Sequence, residues 1–219
     1  MVEGARREWP DLRLLSLLCA AAYLVTQVWM PYRGSFALKG SCVALLAVMA
    51  IQRGVTGLGL ALALSAVGDV LLDLDPERLF IYGLALFLLV HLIYIFLFLR
   101  HGTLPRAVGF TEAAMVVMVA GYCGSIGAWI LPGVGSLMLP VALYLGAITV
   151  MVVSAILARS AQPWVMWGAV LFLVSDSLLA INKFKAPVPY RDYLVWATYY
   201  LGQYGIAIGF LNAGTRRSI

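Results

Sequence analysis

The chain has 219 residues; 63% are hydrophobic, only 11% are charged, and the net charge is +5. A soluble domain carries about a quarter charged residues, so this composition excludes an ordinary soluble enzyme and predicts one all-α transmembrane domain over residues 1–219. The positive charges are scattered over short loops, which suits membrane topology and anionic headgroups as partners rather than nucleic acid.

Apolar runs long enough to cross a bilayer recur along the chain and predict about eight spans. After a short tail, residues 1–11, the first span is Leu12–Met30. It lacks a small-residue cleavage site and reads as a retained helix. Arg6-Arg7 precedes Glu8-Trp9-Pro10, not the apolar run of a twin-arginine signal. Span two, Phe36–Gln52, is short and has Lys39 at its start. Span three, Val55–Leu72, carries Asp69, with Asp73 one turn on. Span four, Leu79–Leu99, has His91 at its middle and Tyr94 on the same face. Val108–Ile130 and Leu137–Leu157 follow. Span seven, Pro163–Ile181, carries Asp176 and leads into Lys183. Span eight, Tyr190–Leu211, holds Tyr199, Tyr200 and Gln203, ahead of a short tail, residues 212–219. Prolines 31, 76, 105, 132, 163, 187 and 189 fall in or beside the connections, where they harm helices least.

An even number of spans puts both termini on one side. Arg6, Arg7, Arg13, Arg53, Arg100, Arg106, Arg159, Arg216 and Arg217 then share the side of the termini, against Arg33, Lys39, Arg78, Lys183, Lys185 and Arg191 on the other. The excess makes the terminal side cytoplasmic. Compact loops point to a bacterial cytoplasmic membrane. Spans three and seven run parallel, and both aspartates lie roughly 6–10 Å below the outer helix ends.

A carboxylate in hydrocarbon costs several kcal/mol, so an intramembrane acid reads as functional and faces the bundle interior. Asp69 and Asp176 sit in matched frames, Val67-Gly68-Asp69-Val70-Leu71-Leu72 and Val174-Ser175-Asp176-Ser177-Leu178-Leu179. The match hints at a four-plus-four repeat and at one site built from two helices. Two acids side by side in an apolar medium do not both ionise, so one keeps its proton, the basis of a general acid/base pair. The bland alternative is a hydrogen-bonded pair that orders the bundle. His91 has these acids as candidate partners. The polar groups of Tyr199, Tyr200 and Gln203 need partners at their depth, whereas Tyr32, Tyr190 and Tyr193 read as interfacial anchors. Lys39 and Lys183 either snorkel to headgroups, pair with a carboxylate or hold a lipid phosphate. His101 reads as a surface loop residue. Gly205 and Gly209 have the spacing of close helix packing.

Cys19, Cys42 and Cys123 lie in apolar segments and read as reduced packing residues. The chain has two histidines and neither His-x-x-x-His nor Cys-x-x-Cys spacing, so no metal site is expected. It also lacks a Gly-x-Ser-x-Gly elbow, a P-loop and a dinucleotide fingerprint.

Four segments carry a family resemblance: Ser65-Ala66-Val67-Gly68-Asp69; Val90-His91-Leu92-Ile93-Tyr94; Leu171-Phe172-Leu173-Val174-Ser175-Asp176 with Leu179-Ala180; and Thr198-Tyr199-Tyr200-Leu201-Gly202-Gln203. In order, spacing and span layout the chain resembles the lysoplasmalogenase family, the YhhN-like multispanning membrane proteins. Lys39 matches a lysine near the start of that family's second span. The resemblance implies hydrolysis of the vinyl ether of a lysophospholipid, releasing a fatty aldehyde and glycerophosphocholine or glycerophosphoethanolamine. It implies Asp69 and Asp176 as the acid/base pair. His91, Tyr94, Tyr199, Tyr200 and Gln203 would orient water and the glycerol moiety. Lys39 and Lys183 would meet the phosphate; Asp73, one turn from Asp69 on the same helical face, is a further substrate-binding or orienting candidate from its spacing. A two-acid site needs no cofactor.

Three other readings use the same residues. A proton-coupled transporter would bind cation or substrate at the aspartates. An intramembrane aspartyl protease would carry a Gly-x-Gly-Asp motif, which Ala66 interrupts. A lipid-binding sensor would hold a lysolipid and leave it unchanged.

Overall fold

The computed structural model describes residues 11–102, 107–158 and 162–215. Arg6, Arg7, Arg106, Arg159, Arg216 and Arg217, which carry most of the predicted positive bias, lie outside the described residues, as do Pro105, residues 1–10 of the N-terminal tail and 216–219 of the C-terminal tail.

Eight α-helices follow one another: α1 (Leu12–Thr26), α2 (Ser35–Gln52), α3 (Thr56–Leu74), α4 (Phe80–His101), α5 (Phe110–Ile130), α6 (Met138–Leu157), α7 (Pro163–Phe184) and α8 (Arg191–Thr215). Short 3-10 turns extend α1 and link α5 to α6. The chain is an integral membrane protein: by length and composition, α1 to α7 are apolar enough to cross a bilayer. The eighth helix is longer than any of these, but its polar side chains lower its hydropathy. Those side chains turn inward: Tyr199, Tyr200 and Gln203 are all buried.

Local signals set the helix ends. The Asp11 side chain accepts from the Arg13 backbone N–H at 3.0 Å and caps α1. Pro163 stands in the first turn of α7, where its missing N–H costs nothing. Asp75 ends α3 and accepts the backbone N–H groups of Glu77 and Arg78 at 3.1 and 2.9 Å, turning the chain toward α4. His101 is not in a loop but closes α4, with its ring edge-on to Phe210. Cys42 and Cys123 are buried, Cys19 is partly buried, and all three are free thiols.

The helices fall into two halves. Helix α2 packs on α1 and α3, and α3 on α4; in the second half α6 packs on α5 and α7, and α7 on α8. The halves meet mainly where α4 touches α6 and where α8 reaches α1 and α2. Between α3–α4 and α7–α8 the halves are bridged by side chains, Tyr199 to Asp69, Gln203 to Ser65 and Tyr94 to Gln203, and the site lies beside these bridges.

Small residues give the closest contacts. A Cβ on Gly168 of α7 would come within 2.6 Å of the Gly202 carbonyl oxygen of α8, and one on Gly209 within 2.9 Å of the Val165 nitrogen. Gly205 and Gly209 therefore pack as their spacing predicts. In hydrocarbon no hydrophobic force joins helices, so close van der Waals contact has to. The α7–α8 seam consequently holds Asp176 and Tyr199 at fixed positions on adjoining helices.

Candidate functional site

A cavity of about 780 Å³ opens between the two halves, the size of a small-molecule site. Asp69 of α3 and Asp176 of α7 both line it. Asp69 is buried, 3% exposed, while the Asp176 side chain is 14% exposed.

Each carboxyl is held by a tyrosine from another helix. The Tyr199 hydroxyl donates to Asp69 Oδ2 at 2.6 Å, and the Tyr144 hydroxyl donates to Asp176 Oδ2 at 2.5 Å. Hydrogen bonds to charged or acidic groups are the strong ones, and they fix geometry as well as energy. Phe87 and Phe172 pack edge-on against Tyr199, walling its ring.

His91 is fully buried, packed edge-on between Tyr144 and Phe172, each 5.0 Å away by ring centroids. Its Nε2 lies 3.9 Å from Asp176 Oδ2, beyond hydrogen-bond reach, and neither ring nitrogen has a hydrogen-bond partner. His91 thus stands beside Asp176 but does not bond to it.

Asp73 belongs to the cavity wall. It accepts from the hydroxyls of Tyr23 at 2.9 Å and Ser35 at 2.5 Å, and Lys39 Nζ lies 3.9 Å away. Four groups from α1, α2 and α3 meet there. Lys183 lies at the mouth, 2.8 Å from Glu77 Oε1 and above the Phe80 ring. Arg191 and Asp192 pair beside it at the start of α8.

Four predicted residues do not line the cavity: His91, and with it Tyr94, Tyr200 and Gln203. Tyr94 donates to Gln203 Oε1 at 2.5 Å, and Gln203 Nε2 donates to Ser65 Oγ at 2.9 Å and Tyr199 Oη at 3.4 Å. Tyr94 and Gln203 therefore stand behind Tyr199 and anchor it, away from any water or glycerol in the cavity. Tyr200 faces α1, where its hydroxyl bonds Ser16 Oγ at 2.7 Å and Ser16 donates on to the Cys42 carbonyl. Its role is packing, because consecutive helical residues point about 100° apart.

Sequence reasoning missed Tyr144, Tyr23 and Ser35. Tyr144 carried a readable signal: a hydroxyl well inside an otherwise apolar run needs a partner. Nothing in Ser35 or Tyr23 alone marks them, since both sit near helix ends where polar residues are common. Among the described residues no cluster of three or more metal-ligating side chains occurs.

A model of the YhhN family matches residues 34–210, a stretch that includes both aspartates and both tethering tyrosines. A lysoplasmalogenase of Mycobacterium bovis is 34% identical over 181 residues, 80% of this chain and 69% of that protein. Lysoplasmalogenase TMEM86A of Bos taurus is 30% identical over 167 residues, 72% of this chain and 66% of its own length. Lysoplasmalogenase TMEM86B of Sus scrofa is 37% identical over 149 residues, 68% of this chain and 60% of its own. No solved structure matches.

Proposed function

Because the chain belongs to the YhhN family, we propose that it is a membrane hydrolase that cleaves the vinyl ether of lysoplasmalogens. One observation carries the reading: two carboxyls from opposite halves of the bundle line one cavity, each held by its own tyrosine hydroxyl. All eight helices span the membrane, a bacterial cytoplasmic one, with both termini on its inner side.

The difficult step is protonation of a vinyl carbon. Asp176 is the acid: the Tyr144 hydroxyl donates to one of its oxygens, no lysine or arginine is paired with it among the described residues, and it lines the cavity where the vinyl carbon would lie. Asp69 is the carboxylate: Lys39 of α2 lines the same cavity, paired with Asp73 one helical turn away, and Tyr199 donates to one of the Asp69 oxygens. The proton goes to the carbon β to the ether oxygen, leaving an oxocarbenium ion that the Asp69 carboxylate stabilises, as carboxylates do in glycosidases. Asp69 then takes a proton from water, whose oxygen adds to the cationic carbon. In the collapse of the resulting hemiacetal, the Asp176 carboxylate takes the hydroxyl proton and Asp69 returns its proton to the departing glycerol oxygen as the C–O bond breaks, giving aldehyde and alcohol. One water is consumed, and the proton balance returns to its start. The headgroup lies at the mouth, with Lys39 and Lys183 toward the phosphate.

The test is purified protein in detergent given alkenyl, alkyl-ether and acyl lysolipids, with aldehyde and fatty acid measured. Aldehyde from the alkenyl lipid alone is expected. Equal cleavage of the acyl ester would make the protein an ordinary lysophospholipase, and flux across vesicles without aldehyde would make it a transporter.

A further inference from the structure

The residues that line the cavity extend only about one helical turn below the aspartates. Ile148 of α6 and Leu173 of α7 are the lining residues furthest from the mouth on their helices. Ile148 is one helical turn beyond Tyr144, so about 6 Å of depth remains below the Tyr144–Asp176 bond. A membrane lipid tail spans one leaflet, roughly half of a hydrocarbon core about 30 Å thick. Most of the tail must therefore leave the cavity.

The walls indicate where. Lys39, Asp73, Arg191 and Asp192 make the α1–α3 and α8 side polar. The opposite side is apolar, with Ile126 and Ile130 from α5 and Val141 and Leu145 from α6. Helix α5 is sparsely covered, with 17% of its span buried. It packs along α6, touches α7 at a few points and makes no extended contact with α4. Ile126 lines the cavity and is only partly buried, while its neighbours on α5, Ser125 and Trp129, are exposed on the outside of the bundle.

We infer that the seam between α5 and α7 is a lateral portal through which the hydrocarbon tail of a single-chain lipid runs from the cavity into the bilayer, while the headgroup stays at the polar mouth. The inference rests on the lysolipid reading above for its ligand. Carbons beyond the portal lie in lipid in both the free and the bound state, so they add nothing to discrimination. An enclosed chamber would instead count each methylene, with turnover changing several-fold per carbon until the tail no longer fits.

The probe is an alkyl-ether lysophospholipid, which has no vinyl ether to cleave, carrying a photoreactive diazirine at the tail terminus. It is irradiated with the whole protein in phospholipid nanodiscs, and labelled residues are mapped. Label is expected along α5 and α7 at the seam, lost when excess unlabelled alkyl-ether lysolipid competes. Alkenyl lysolipids of increasing tail length should be turned over at similar rates. Ile126→Trp should lower long-tail turnover about tenfold more than short-tail turnover, the scale of a steric mismatch in an apolar passage. Label confined to Ile148 and Leu173, seam label that competitor does not displace, or a sharp length cut-off moved by Ile148→Ala would overturn the portal. Competed seam label with no aldehyde from any alkenyl lipid would leave the portal standing and remove the hydrolase reading.

Discussion

Tyr199 donates its hydroxyl to Asp69 at 2.6 Å and so ties α8 to α3 across the space between the two halves of the bundle. Both groups are buried, and the bond joins residues 130 positions apart in the chain. Tyr199→Phe keeps the ring against Phe87 and Phe172 and removes only the donor. Leaving a buried acid one partner short costs about 1–3 kcal/mol, so the melting temperature in detergent should fall. Aldehyde release should drop about 100-fold, the scale of losing one donor to a charged reacting group. Unchanged turnover would detach Tyr199 from the chemistry.

Tyr200→Phe is the control. Its hydroxyl serves Ser16 and the α1–α2 contact and does not face the cavity. A net loss near 1 kcal/mol is expected in stability, with kcat/KM for lysolipid preserved within about twofold, below the 1.4 kcal/mol that a tenfold change represents. A large fall in kcat at unchanged stability would return Tyr200 to the site.

Gly202→Leu probes the helix seam. Even a Cβ there would lie 2.9 Å from the Gly168 carbonyl oxygen and 3.0 Å from the Phe172 nitrogen, so backbone would have to move. Overpacking of this kind costs about 1–3 kcal/mol or more. Since Asp176 and Tyr199 ride on the same two helices, activity should fall with stability. A variant of native stability with full turnover would show that α7 and α8 need not touch there.

Much of this arrangement is legible in the sequence. Apolar runs mark the helices because lipid forbids other backbone solutions, and Asp69 and Asp176 stand out because hydrocarbon makes them costly. Helix periodicity says which residues share a face, but not which neighbour that face meets. Tyr94 and Gln203 were thus grouped with the site although they back it from behind Tyr199. Tyr199 and Tyr200, being consecutive, cannot both face one cavity. Tyr144 escaped because span six is otherwise apolar and tyrosine commonly anchors helices at interfaces. The hydropathy of α8 understates its burial, since hydropathy does not know that its polar groups pair with one another.

Asp75 gives a pH-dependent prediction outside the membrane. The Arg78 backbone N–H, and then that of Glu77, hold its carboxyl below the usual carboxylate range. A lowered folded value contributes stability that is present above the unfolded value, about 3.9, and is lost as pH falls through the folded value. Asp75→Asn still accepts both bonds but does not titrate. The wild type should melt above this variant near neutral pH, and the gap should close below about pH 4. A gap that stays constant from neutral pH into acid would contradict the assignment.

The most direct measurement is aldehyde release from an alkenyl lysolipid by Asp69→Asn and Asp176→Asn, beside wild type, with folding checked by thermal melting. Asparagine keeps the shape and can still accept from Tyr199 or Tyr144, but neither donates an acidic proton nor carries charge. Turnover should fall in each by about 10³-fold or more, as when a reacting group is removed from an acid/base pair, while the melting temperature stays near that of the wild type. Wild-type turnover in either folded variant would contradict a two-carboxyl mechanism.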